Sequence, residues 1–166
     1  MAYLFPLPLR GLGTPDVEAF GPYLQRLAAE HGISTGKLLE RIVAWHTAEH
    51  PELQEGLASL RSTVDVCIYV RPNHTTQLLV DMLEHATGEK KLRCGTFIAL
   101  QGALDRSMEV FSRRTRWCPS CMLEFKAADE PGYFKLLWQL MPITHCPTHG
   151  TALRETCAAC GSFQGG

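Results

Sequence analysis

The sequence has no basic excess, with 16 Lys+Arg against 17 Asp+Glu and a formal net charge of −1. Phosphate neutralisation supplies most of the affinity of a protein that grips nucleic acid unaided. Any DNA contact is therefore expected to be local, or supported by partners. Long apolar runs are missing too. Met1 to Leu9 is apolar, but it is short, holds Pro6 and Pro8, and has no positive charge ahead of its apolar residues. It is expected to be neither an export signal nor a membrane span. The chain also lacks a Gly-rich phosphate loop, a nucleophile elbow, a usefully spaced carboxylate pair, an internal repeat and any low-complexity tract. At 166 residues and 45% hydrophobic content it suits one globular domain or two small ones.

Cysteine is present and concentrated. Five of the seven fall in the last 49 residues, as Cys118-x2-Cys121, Cys146-x2-His149 and Cys157-x2-Cys160. Zn²⁺ takes four borderline or soft ligands in a tetrahedron, and a two-residue gap places two of them on one side of it. Three such pairs predict zinc. A disulfide framework would call for an oxidising compartment and an export signal. A thioredoxin-like redox pair is not expected, because no Cys-x2-Cys reads as following a strand and opening a helix. Cys67 and Cys94 stand alone in apolar surroundings and read as buried, unreactive thiols.

The periodicity predicts a mainly α fold. It consists of a helical, helix-turn-helix-like module over residues 1–115 and a small zinc-finger or zinc-ribbon module over 116–166. Thr14 as N-cap and Pro15 at the first position open a helix with Val17, Phe20, Leu24, Leu27 and Ala28 on one face and Gly32 as its stop. Ser34 caps a second helix with Leu38, Leu39, Ile42, Val43 and Trp45. Further helices are expected from about Pro51 to Arg61, from Thr75 or Thr76 to Ala86 with Gly88 as terminator, and from Thr96 to about Phe111. Val64–Val70 reads equally as strand or buried helical turn. The Leu4–Leu9 segment is expected to lie against the chain's own helices. Arg106, Arg113, Arg114 and Arg116 form a basic junction that reads as solvated linker charge, or as a contact for nucleic acid or a partner. The fifty residues beyond it cannot bury enough apolar surface to hold themselves together, so zinc is expected to decide whether they fold.

His46-Thr-Ala-Glu-His50 fits the H-x-x-E-H string of inverted zincin peptidases, with Glu49 as base and Glu109, Glu124 or Glu130 as a third ligand. Pro51 ends the helix immediately afterwards, and a polar helix end is the ordinary reading. A zinc ion closed by four protein side chains leaves no coordination position for substrate, so no enzymatic activity is expected.

Arg116-Trp-Cys-Pro-Ser-Cys121, Tyr133-x4-Trp138-Gln-Leu140, Cys146-Pro-Thr-His-Gly150 and Cys157-Ala-Ala-Cys-Gly161 follow one another in an order that resembles the TniQ/TnsD family of bacterial transposition proteins. Pro6–Leu9, Tyr23–Ala28 and Gly32–Ser34 are similar to that family's opening segment. The resemblance implies a cytoplasmic adaptor without catalytic residues. Such an adaptor links a target recogniser, either a CRISPR effector with guide RNA or target DNA, to an AAA+ transposition regulator. It also implies a first zinc site of Cys118, Cys121, Cys146 and His149, and half of a second at Cys157 and Cys160. The sequence stops at Gly166 before a further pair, so a truncated second motif is expected, or completion by His145 or another chain. A homodimer is compatible with the sequence without being required by it. A stand-alone helix-turn-helix DNA-binding regulator is the competing reading.

Overall fold

A computed structural model describes residues 3–50, 66–103 and 108–163. Four α-helices order it: α1 Phe20–Glu30, α2 Thr35–Glu49, α3 His74–Thr87 and α4 Pro119–Ala127. Short 3₁₀ helices occupy Val66–Val70, Leu92–Gly95, Ile98–Leu100, Met108–Val110 and Leu136–Gln139. Among the described residues there are no strands beyond isolated antiparallel bridges. The mainly α expectation holds.

Helices α1, α2 and α3 carry the principal core. Tyr23, Leu24, Leu27, Leu38, Ile42, Leu79 and Leu83 are all fully buried in one cluster. Ser34 caps α2 as its sequence context predicts, its hydroxyl accepting the Lys37 N–H at 3.3 Å. Gly32 closes the tight turn between α1 and α2 at φ +65°, the left-handed region that costs glycine least. Helix α3 begins one or two residues before the hydroxyl pair, because Asn73 takes the cap and accepts the Thr76 N–H at 2.8 Å. Gly88 ends it at φ +79°. The ambiguous Val64–Val70 stretch resolves, over Val66–Val70, into a 3₁₀ helix with Tyr69 and Val70 fully buried. The N-terminal segment lies on this core as expected. The Tyr3 and Leu4 N–H groups both donate to the Ala86 carbonyl, Leu9 is buried, and Tyr3 stacks on Trp45 with centroids 5.2 Å apart.

Two helices differ from their sequence reading. The first starts at Phe20, not at Pro15. Residues 17–19 are held extended because Leu136 N–H donates to Val17 O and Ala19 N–H to Phe134 O, each at 2.8 Å. Thr14 instead closes a turn on Gly11. Glu18, 1% exposed, locks this segment by accepting from Arg26 Nη2 at 2.6 Å, Arg26 Nε at 2.9 Å and the Arg10 N–H at 3.1 Å. The second difference is at residues 96–111, where no α-helix forms among the described residues. Phe97 N–H turns to Val70 O at 2.8 Å, and Phe97 and Phe111 pack together with Ala19, Val70 and Leu136. Those long-range contacts replace the helical ladder that the periodicity favoured, and Leu100 is exposed. The helix expected over 51–61 lies outside the described residues. Cys94 is exposed, which corrects the buried reading; it sits in a surface 3₁₀ turn where little packs over it.

Candidate metal centre

Two short motifs present the four candidate ligands. Cys118 is extended (φ −93°, ψ 120°) and caps α4, with Pro119 at the first helical position, where its missing N–H costs nothing. The Cys118 sulfur accepts the Cys121 N–H at 3.5 Å, so the first turn of α4 wraps one thiol and buries the other. Cys118-x2-Cys121 therefore opens a helix, but among the described residues an isolated bridge at Trp117 and no strand precedes it. The redox reading gains nothing, because Cys146 and His149 meet the same two sulfurs. That second pair sits in a knuckle. Cys146 N–H donates to Thr151 O and Gly150 N–H to Cys146 O, each at 2.8 Å, and Gly150 is left-handed at φ +62°.

The four ligand atoms lie within 4.8 Å of one another. Cys121 Sγ stands 3.8 Å from Cys146 Sγ, and His149 Nδ1 stands 3.6, 3.3 and 3.6 Å from the sulfurs of Cys118, Cys121 and Cys146. With Zn–S of roughly 2.3 Å and Zn–N of roughly 2.0 Å, a regular tetrahedron has edges of about 3.8 Å between sulfurs and about 3.5 Å between sulfur and nitrogen. The cluster could hold a metal ion, and its dimensions are compatible with zinc. Trp138, fully buried, forms the apolar floor with Cys118, Cys121 and Cys146.

Neighbouring groups tune the donors. His149 Nε2 donates to Glu124 Oε1 at 2.8 Å, which fixes the tautomer that leaves Nδ1 free for metal. Without metal, that carboxylate and the Cys146 sulfur raise His149 to about 9. Burial pushes the Cys146 thiol up, yet hydrogen bonds from the His149 backbone and imidazole outweigh it and bring it down to about 6. Burial and the bond to Cys146 push Cys121 up to about 12. Lys135 is buried against this edge. Burial opposes its charge, but its bond to Asp16 at 2.9 Å and the nearby Cys121 sulfur raise its pKa above the ordinary lysine value. It therefore offsets the negative charge that three thiolates bring to a divalent ion. Sequence reasoning missed Lys135, and read Glu124 only as a spare ligand. Glu124 lies one turn after Cys121 on α4, and that spacing was the available signal.

The remaining expected site residues are dispersed. Cys157 and Cys160 repeat the knuckle: Cys157 N–H donates to Ser162 O and Gly161 N–H to Cys157 O, each at 2.9 Å, with Gly161 at φ +68°. Cys157 is half-buried and Cys160 exposed. Among the described residues no third metal-binding side chain gathers with them, and His145 is turned to the Thr144 hydroxyl at 2.9 Å. The basic junction divides. Arg106 lies outside the described residues. Arg113 and Arg114 are exposed, and the Arg114 guanidinium sits 3.3 Å over the Phe163 ring. Arg116 turns inward at 5% exposure and donates to the Leu140 and Ile143 carbonyls at 3.0 and 2.6 Å, so it braces the loop before Cys146. His46 and His50 face each other with ring centroids 4.8 Å apart at the end of α2. Among the described residues no third ligand joins them or Glu49 in a metal-binding group.

The fold and site define a class: a small helical protein whose C-terminal part is arranged around a Cys3His cluster able to take a metal ion. Within that class the TniQ family model matches residues 9–153, and the chain belongs to the TniQ family, which gives it a transposition-associated role. No curated protein matches the chain. Among the described residues no helix is long and apolar enough to cross a membrane.

Proposed function

We propose that this chain is a non-enzymatic adaptor in bacterial DNA transposition. It would join a target-recognition complex, a CRISPR effector with guide RNA or target DNA itself, to the AAA+ regulator that recruits the transposase. The family match over residues 9–153 carries the reading. Two physical features support it. Four protein ligands at the Cys118 centre fill a tetrahedral zinc ion and leave no position for substrate. A formal net charge of −1 suits a protein that delegates sequence recognition to a guide or to partners. Zinc is the ion proposed for this centre, since three thiolates and one imidazole suit it, and the Cys121–Cys146 edge and the three edges to His149 lie near those of a zinc tetrahedron. The cytoplasm is the proposed compartment.

The test is capture of an AAA+ transposition regulator from the native cell, using purified, metal-loaded protein, with and without the guide complex. Capture together with weak binding to duplex DNA alone is the expected result. Tight duplex binding by the isolated chain, falling steeply with salt, would replace the adaptor with a self-sufficient DNA-binding regulator.

A further inference from the structure

A groove of about 460 Å³ opens beside the metal centre, between the start of α4 and the segment that leads to the second knuckle. Its walls are Trp117, Pro119, Met122, Phe134 and Ala158, with Arg154 and Thr156 also lining it. We infer that this groove is a docking site for a protein partner's peptide carrying a large apolar side chain next to a carboxylate. The inference rests on the adaptor reading and deepens it by naming a surface and the chemistry it takes.

Three observations argue for that occupant. The walls are half-buried aromatic, thioether and proline surface, and Trp117 meets Phe134 edge-on at 6.4 Å, so the floor is set by packing before anything binds. An apolar pocket of a few hundred Å³ accommodates one or two anchor side chains. Arg154 is the only cation among the lining residues and none of them is acidic. Its side chain is exposed, while its neighbour Glu155 faces Arg116 at 3.9 Å. One guanidinium beside an apolar slot calls for one carboxylate; a nucleic-acid backbone would want several cations tracking successive phosphates. The frame is also rigid. Trp117 and Arg154 exchange both backbone hydrogen bonds at 2.9 Å, Pro119 and Met122 belong to the helix that Cys118 caps, and Cys157 sits on the groove's edge. A preformed slot lowers the ordering cost of binding a flexible peptide.

The probe is the acetylated, amidated peptide Ser-Trp-Asp-Asp-Ser, titrated into metal-loaded chain while the Trp117 indole and Met122 methyl resonances are followed. Saturable shifts confined to the groove residues are expected. Arg154→Glu should weaken binding roughly 10-fold and should favour the matched peptide with lysines in place of the aspartates. Ala158→Trp, which fills the slot from its rim, should abolish the shifts while bound metal is retained. No saturable shift, equal binding by Arg154→Glu, or displacement of the peptide by a ten-residue oligo(dT) at the same resonances would overturn the groove's assignment. Capture of the AAA+ regulator separates the two readings. If both variants keep full capture, the groove reading falls and the adaptor stands. If the unmodified chain captures nothing while the peptide still binds, the adaptor reading falls and the groove remains a peptide site.

Discussion

The proton count of metal binding tests the arrangement of the centre more sharply than metal content does. In the metal-free fold at pH 7.5, His149 is protonated because Glu124 and Cys146 raise it to about 9, and Cys121 is a neutral thiol because burial raises it to about 12. Cys146, brought down to about 6, is already a thiolate. A bound divalent ion needs imidazole and thiolates, so loading must expel at least one proton from His149 and one from Cys121. Apparent affinity should therefore rise at least roughly 100-fold per pH unit between about pH 6.5 and 8.5. Glu124→Gln removes the largest cause of the His149 shift, so its pKa falls towards the ordinary value of about 6.5. The variant should then release close to one proton fewer at pH 8, and its affinity should rise about 10-fold less per pH unit than that of the unmodified chain. The metal-free fold provides an internal control. The raised His149 stabilises it below the unfolded imidazole value and loses that contribution as pH climbs through about 9. The depressed Cys146 does the reverse, losing its contribution as pH falls through about 6. Between those limits the two oppose, so melting without metal should change little with pH while melting with metal should rise. Competition titration against a chromophoric chelator gives the slope, and calorimetry in buffers of different ionisation enthalpy counts the protons. Equal proton release from wild type and Glu124→Gln at pH 8 would refute the pairing of Glu124 with His149.

Other perturbations probe other parts of the fold. Cys121→Ala should lower bound metal by about one ion and lower the stability of α4 and the knuckles; helix content from α1 to α3, read by far-UV circular dichroism, should persist. Trp138→Ala should cost about 3–5 kcal/mol in denaturant unfolding, since it empties the fully buried floor of the cluster. Glu18→Ala should cost about 3 kcal/mol, because it removes a carboxylate 1% exposed that accepts two hydrogen bonds from Arg26 and one from the Arg10 N–H, leaving Arg26 only its bond to the Pro8 carbonyl. Gly11→Ala should destabilise strongly; φ is +60° and an added Cβ would lie 2.5 Å from the Asp16 carbonyl oxygen. Thermal melts of the variant against wild type check it.

Local chemistry left its marks in the residues. Helical periodicity located α2 and α3, Ser34 and Gly88 supplied a cap and a stop, and two-residue ligand gaps identified Cys118, Cys121, Cys146 and His149, because a metal accepts only certain atoms at certain spacings. Tertiary structure decided what depends on residues distant in the chain. Residues 134–136 pull 17–19 out of helix α1, and Val70 draws Phe97 away from the helix its neighbours favour, since a satisfied long-range hydrogen bond with buried apolar contact outweighs weak local propensity. The same competition turned Arg116 from a charged surface residue into an internal brace, and brought Lys135 and Glu124 to the donors that they tune.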